Sequence, residues 1–325
     1  MLLTQQLCHF SLVPCRAPSN FITLHPPPPQ NSRGFPGGVK GLLEGGGGGG
    51  SRELPPENIK HPGTKTYVSD RFLKWSSLEP IWRQISRVGE DFKNISDSHP
   101  DGFHVIGYSQ GGLIARGLLE LFPKHNVHTF VSLSSPQAGQ YGGGFILHLI
   151  FPNLVCATAY ELFYSKIGQT ISVGNYWNDP YHQKLFFKYS SFLPFLNNMI
   201  KSDFSDQFKE GISKLKNMVL IGGPDDGVIT PWQSSHFGYF NEDGAIINFK
   251  DRTVYINDTM GLQTLDSQNK LQIITLSNVS HFNWHRNHTV TDDLFFLGWI
   301  KNDGNTVTFS QNDEKYQVRI RCFIN

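Results

Sequence analysis

Apolar residues in this chain gather in short runs, bounded by Gly, Pro, Asn and Asp. Phe103-His104-Val105-Ile106, Phe130-Val131-Ser132-Leu133-Ser134, Asn217-Met218-Val219-Leu220-Ile221 and Leu271-Gln272-Ile273-Ile274-Thr275-Leu276 are such runs. Each has the length and near-continuous apolar character of a strand buried on both faces. Thr64 to Val68 reads as an earlier strand. Ser76 to Asn94 has the 3.6-residue apolar spacing of an amphipathic helix. Leu113-Ile114-Ala115-Arg116-Gly117-Leu118-Leu119 reads as a second helix, and Thr291 to Ile300 as a closing one. Strands alternating with helices place the chain in the α/β class. Alternation in Val307-Thr308-Phe309 and Tyr316 to Arg321 predicts a small hairpin near the chain's end.

One junction carries chemistry. Gly107-Tyr108-Ser109-Gln110-Gly111 lies between the run ending at Ile106 and the helix starting near Leu113. A Gly-x-Ser-x-Gly between strand and helix is a nucleophile elbow, a sharp turn that exposes the serine hydroxyl. Small residues are expected at Gly107 and Gly111, where a side chain would strike the neighbouring strand or helix. The helix N-terminus behind Ser109 favours developing negative charge. The backbone N–H of Gln110 is then the first oxyanion donor.

A serine hydroxyl needs a histidine to take its proton, and the imidazole needs a carboxylate to fix its tautomer. The chain order Ser, Asp, His of the α/β-hydrolases is available here. Asp225 and Asp226 follow the run Asn217 to Ile221, on the loop Gly222-Gly223-Pro224-Asp225-Asp226-Gly227-Val228-Ile229. Asp226 is preferred, because Val228 and Ile229 can anchor the loop beside it. His281 follows the last apolar run and is preferred as the base over His285 and His288. The catalytic candidates are therefore Ser109, Asp226 and His281.

With these residues in place, the chain resembles the palmitoyl-protein thioesterases, the second, lysosomal type more closely than the first. The likeness lies in His61-Pro62-Gly63-Thr64, Leu78-Glu79-Pro80-Ile81-Trp82, Tyr108 to Leu113, Ser132 to Gln137, Gly139-Gln140-Tyr141-Gly142, Asn175-Tyr176-Trp177 and, above all, Leu220 to Ser235. It covers about residues 59–300. The resemblance implies an α/β-hydrolase that cleaves long-chain fatty acyl thioesters in the lysosome, with no cofactor. It implies Ser109 as nucleophile and His281 as base, and supports Asp226 as the acid.

The chain also departs from that pattern. The family's early strand and His-Gly loop, which lends a second oxyanion donor, have no counterpart upstream of Asn58. Pro26 to Pro29 and the run Gly45 to Gly50 stand there instead. Such composition offsets little of its ordering entropy, so residues 1–57 are expected to be a disordered tail. The expected divisions are then this tail, a hydrolase domain over 58–300 that lacks its first strand, and an extension over 301–325. Either the true start is missing, which is preferred, or the product has impaired activity. The alternatives to a thioesterase are an oxygen-ester lipase or esterase and a silent acyl-chain binder.

An insertion at about 137–215, rich in Phe, Tyr, Leu and Ile, is expected to form a helical cap. Phe145, Ile150, Phe163, Phe187 and Phe195 are the candidates for contact with an acyl chain. Each buried methylene contributes about 0.8 kcal/mol, so a long tail can supply most of the binding energy.

Charge and cysteines narrow the picture further. With 28 Lys and Arg against 27 Asp and Glu, the net charge of +1 implies no attraction to nucleic acid. The polyglycine run lacks the Gly-Lys-Ser/Thr ending of a phosphate loop. No Cys/His spacing points to a metal. No apolar run is long enough for stable membrane insertion. Cys8 and Cys15 fall in the tail, and Cys156 and Cys322 lie far apart. Sequons begin at Asn94, Asn257, Asn278 and Asn287, as in a glycoprotein. The lysosome is expected from the resemblance, since the first ten residues form no clear signal peptide.

Overall fold

The computed structural model describes residues 51–53, 65–69, 71–72, 74–142, 158–290, 306–312 and 317–324. Of the tail expected over 1–57, residues 1–50 and 54–57 lie outside the described residues, as do the closing helix over 291–300, Phe145 and Ile150. Ser51–Glu53, by contrast, is not disordered but pairs as a strand with Tyr67 to Ser69.

An eight-stranded sheet organises the chain. Its strands are β1 (Ser51–Glu53), β2 (Lys65–Ser69), β3 (Phe103–Tyr108), β4 (Val127–Leu133), β5 (Asn217–Gly222), β8 (Leu271–Thr275), β9 (Thr306–Asn312) and β10 (Gln317–Ile324). A separate two-stranded ribbon is formed by β6 (Tyr239–Phe240) and β7 (Ile246–Ile247). The order in the large sheet is β1-β2-β10-β9-β3-β4-β5-β8. From β9 through β3, β4, β5 and β8 every pairing is parallel. Three pairs are antiparallel: β9 with β10, β10 with β2, and β2 with β1.

The predicted terminal hairpin therefore forms, and its place explains how the sheet continues without an early strand beside β3. β9 lies against β3, with Phe309 opposite Gly107, and β10 joins β2 with Arg321 opposite Val68.

Strand periodicity sorts the core into two faces. Phe103, Val105, Phe130, Met218 and Leu220 belong to the larger cluster. Their alternates Ile106, Tyr108, Val131, Leu133, Val219 and Ile221 belong to a smaller one with Val279, Trp284 and Val290.

Two long helices join the larger cluster, α1 (Ile81–Ser98) and α2 (Gln110–Leu121). Ile81, Ile85, Val88, Phe92 and Ile95 form the buried stripe of α1, at alternating steps of four and three. This helix starts five residues later than the expected Ser76. Pro80 disfavours helical geometry at the residue before it and caps the helix, leaving Lys74–Leu78 as a 3-10 turn. Arg71 clamps the exit of β2 to α1 through a bidentate pair with Asp91, at 2.7 and 2.9 Å.

The segment between β4 and β5 carries short helices over its described part, as expected of the insertion. They are α3 (Ala159–Phe163), α4 (Ser172–Tyr176), α5 (Gln183–Tyr189), α6 (Leu193–Leu196) and α7 (Ser205–Ser213). Helix α2 is buried along its whole length. Its Arg116 reaches the insertion, donating to Asn197 Oδ1 at 2.8 Å and to the Gln137 carbonyl at 3.3 Å. Burial lowers this guanidinium to about 10, with Glu120 one turn away opposing the shift.

Candidate active site

Ser109 stands between β3 and α2 with φ 54° and ψ −131°. A non-glycine residue at positive φ is strained and persists only where its surroundings over-determine it. Here they do. The Ser109 N–H donates to the Leu133 carbonyl of β4 at 2.9 Å, and its own carbonyl accepts from Gly112 N–H at 3.0 Å. A Cβ on Gly107 would lie 2.4 Å from Gly112 Cα. A Cβ on Gly112 would lie 2.6 Å from Ser135 Cβ. On the helix side, Gly112 therefore also lacks room for a side chain. The turn folds the start of α2 back over β3, so the second helical residue after Gln110 meets the strand.

Three strand ends bring the predicted residues together. The Ser109 hydroxyl donates to His281 Nε2 at 2.9 Å. His281 Nδ1–H donates to Asp226 Oδ2 at 2.8 Å and approaches Oδ1 at 3.1 Å. This tautomer follows from the network, since the carboxylate can only accept. All three side chains are buried, while Asp225, the rejected neighbour of Asp226, is exposed. Asp225 instead accepts from the Asn278 N–H at 2.7 Å, bracing the loop that carries the histidine. His285 packs 5.5 Å from the Tyr108 ring, and His288 is exposed.

Asp226 is bound on all sides. Its Oδ1 accepts from the N–H groups of Val228 at 3.0 Å and Ile229 at 2.7 Å, which closes the loop around the carboxylate. Gly227 supplies the required turn at φ 75°. Its Oδ2 accepts from Trp284 Nε1–H at 2.6 Å and from the Ser134 hydroxyl. Burial would push this carboxyl up. The His281 charge and the hydrogen bonds from His281, Ile229 and Ser134 more than offset it, holding the carboxyl below its usual range. The main chain joins the two loops as well, His281 N–H donating to the Asp226 carbonyl at 2.8 Å.

Sequence reasoning missed Ser134, Trp284 and the role of the Tyr108 side chain. Tyr108 donates to the His281 carbonyl and packs its ring 5.2 Å from the imidazole. Ser134 ends β4 at φ 43°, a backbone state with no signature in its sequence. Trp284 offered a signal, because a buried indole N–H requires an acceptor.

Gln110 opens α2, so its backbone N–H is one of those without a partner inside the helix. Its side chain is anchored by a 2.8 Å bond to the Ser77 carbonyl. From the insertion, Gln140 donates to the Val228 carbonyl at 3.1 Å and accepts from Thr230 N–H at 3.0 Å. The predicted acyl contacts are scattered over that insertion. Phe163 is fully enclosed against Trp177, with ring centroids 4.9 Å apart. Phe187 is exposed, and Phe195 is half-buried. Among the described residues there is no group of three or more His, Cys, Asp or Glu able to hold a metal, and no helix long and apolar enough to cross a membrane.

The model of the palmitoyl protein thioesterase family matches residues 56–281, a span that contains Ser109, Asp226 and His281. The chain is 52% identical over 258 residues to the lysosomal thioesterase PPT2 homolog of Drosophila melanogaster, covering 79% of this chain and 89% of that one. It is 44% identical over 231 residues to lysosomal thioesterase PPT2-B of Xenopus laevis, covering 71% and 80%. With lysosomal thioesterase PPT2 of Homo sapiens it shares 41% identity over 233 residues, covering 72% and 77%.

Proposed function

The chain belongs to the palmitoyl protein thioesterase family and is a thioesterase, and from that premise we propose that it hydrolyses long-chain fatty acyl thioesters through Ser109, His281 and Asp226. Palmitoyl-CoA and palmitoyl-cysteine are the substrate types. The observation that carries the reading is the unbroken relay of a 2.9 Å bond from Ser109 to His281 and a 2.8 Å bond from His281 to Asp226.

In the first half-reaction His281 Nε2 takes the Ser109 proton as Ser109 Oγ bonds to the thioester carbonyl carbon. Negative charge gathers on the carbonyl oxygen, and the Gln110 N–H at the head of α2 receives it. The C–S bond then breaks, and the sulfur leaves with the proton held on His281. In the second half-reaction His281 takes a proton from water, whose oxygen attacks the acyl-enzyme. The Ser109 oxygen departs with that proton, and the fatty acid is released. Asp226 keeps Nδ1 protonated and faces the imidazolium each time it forms. No step calls for a metal or an organic cofactor.

The acyl chain is assigned to the insertion between β4 and β5. Phe187 and Phe195 are the described candidates for contact, whereas Phe163 serves that role only if the insertion moves. Phe145 and Ile150 complete the proposed set. The relatives' names place those proteins in the lysosome, and we assign this chain to the same compartment. The depressed Asp226 carboxyl suits it, since the acid then stays ionised in an acidic lumen.

The test is palmitoyl-CoA hydrolysis by the purified chain beside Ser109→Ala, with a matched oxygen ester in parallel. Thioester turnover should vanish in the variant, a loss of about five orders of magnitude or more. Turnover surviving in Ser109→Ala would sink the nucleophile. Faster cleavage of the oxygen ester would reassign the substrate class.

A further inference from the structure

We infer that Trp284 and Ser134 are positioning residues that lock the Asp226 carboxylate in its ionised form and in one orientation toward His281. The inference rests on the triad reading above, and the experiment below separates the two.

Donors crowd the carboxylate. Val228 and Ile229 N–H groups, Trp284 Nε1–H, the Ser134 hydroxyl and His281 Nδ1–H all point at its two oxygens. An ionised carboxylate offers about four lone-pair sites, so every one is engaged. A neutral carboxyl would have to place its own proton on one of these oxygens, against a donor. The two amides and the indole have no lone pair to accept it, so only the Ser134 hydroxyl, by turning, or His281 Nδ1, by a change of tautomer, could do so. The cage therefore selects the protonation state by its chemistry.

The two side-chain donors arrive from rigid places. Ser134 follows β4, and its N–H is fixed on the Ile221 carbonyl of β5 at 2.7 Å. Trp284 is fully buried in the smaller core cluster, three residues after His281. One indole thus couples the base's own turn to the acid.

Removing either donor leaves the carboxylate more basic. It then takes a proton at a higher pH, which moves the acidic limb of reactivity upward. The neighbouring titratable groups are untouched by these substitutions. Asp225 faces Asn278, Tyr108 donates to the His281 carbonyl, and His285 lies beside Tyr108. His236 bonds the Ile274 carbonyl of β8, and burial lowers its ring to about 4 with that bond opposing.

The experiment follows the rate of Ser109 labelling by an alkyl fluorophosphonate against pH, which requires no knowledge of the substrate. Ser109 oxygen bonds to phosphorus, fluoride leaves, and the proton passes to His281. Trp284→Phe and Ser134→Ala should each slow the plateau rate about tenfold or more, as expected for a lost bond to a charged group. Each should also move the acidic limb to higher pH, and the double variant should move it further. A limb that stays at the wild-type position overturns the inference, whatever happens to the plateau, because damaged packing alone lowers the plateau without moving the limb. If Trp284→Phe fails to fold, Ser134→Ala decides the question by the loss of one hydroxyl. A wild-type chain that does not label would instead overturn the triad reading itself.

Discussion

Ser109 and Asp226 flank the same imidazole and are held by different means. At Ser109 the backbone does the positioning, through a φ of 54° and a glycine pair whose strand-side member has no room for a Cβ. At Asp226 the side chain is held from outside, by donors from the loop itself, the end of β4 and the turn after His281. The first arrangement is local steric strain and the second is distributed hydrogen bonding. A local device should fail by unfolding, and a distributed one by losing chemistry.

Asp226→Asn is the strongest way to break the contrast. The amide keeps the shape but turns an N–H toward the donors and removes the charge facing His281. Fluorophosphonate labelling should fall by about four orders of magnitude, while circular dichroism stays native. The same variant should flatten the acid limb of thermal stability. The folded carboxyl lies below its ordinary value of 3.8, so its contribution is complete above that pH and is lost as pH falls through the depressed value.

Gly107→Ala tests the other corner. The added carbon meets backbone at 2.4 Å, which cannot swing aside. A destabilisation of about 1–3 kcal/mol is expected, read as a drop of several degrees in Tm. An unchanged Tm would show that the elbow is looser than its geometry.

The smallest effect is expected from Asp225→Asn, which alters an exposed carboxylate and keeps an acceptor for Asn278. Labelling should stay within about twofold of wild type. A collapse here beside a mild Asp226→Asn would reverse the assignment of the two acids.

The same contrast governs how much could be read from the chain. The elbow was legible because strand, serine and helix are contiguous. The Ser–Asp–His order and the position of each residue after an apolar run were enough to select the three side chains that the fold brings together. The donors around Asp226 were hidden, since nothing local ties Ser134 or Trp284 to a carboxylate 92 or 58 residues away. Apolar content marked the insertion but did not separate enclosed Phe163 from exposed Phe187, because burial depends on neighbours from elsewhere in the chain. Alternation foretold the hairpin, yet its partners β2 and β3 are long-range and leave no local trace.

That hairpin sets a schedule for synthesis. Val68 of β2 pairs with Arg321 of β10, and at about 5–20 residues per second a ribosome needs roughly 10–50 s to make the chain between them. Until then the edges of β2 and β3 are open templates for any passing strand. The nascent protein must therefore hold most of a folded sheet with a gap in its middle, the situation in which a chaperone that shields β edges would have its greatest effect on yield.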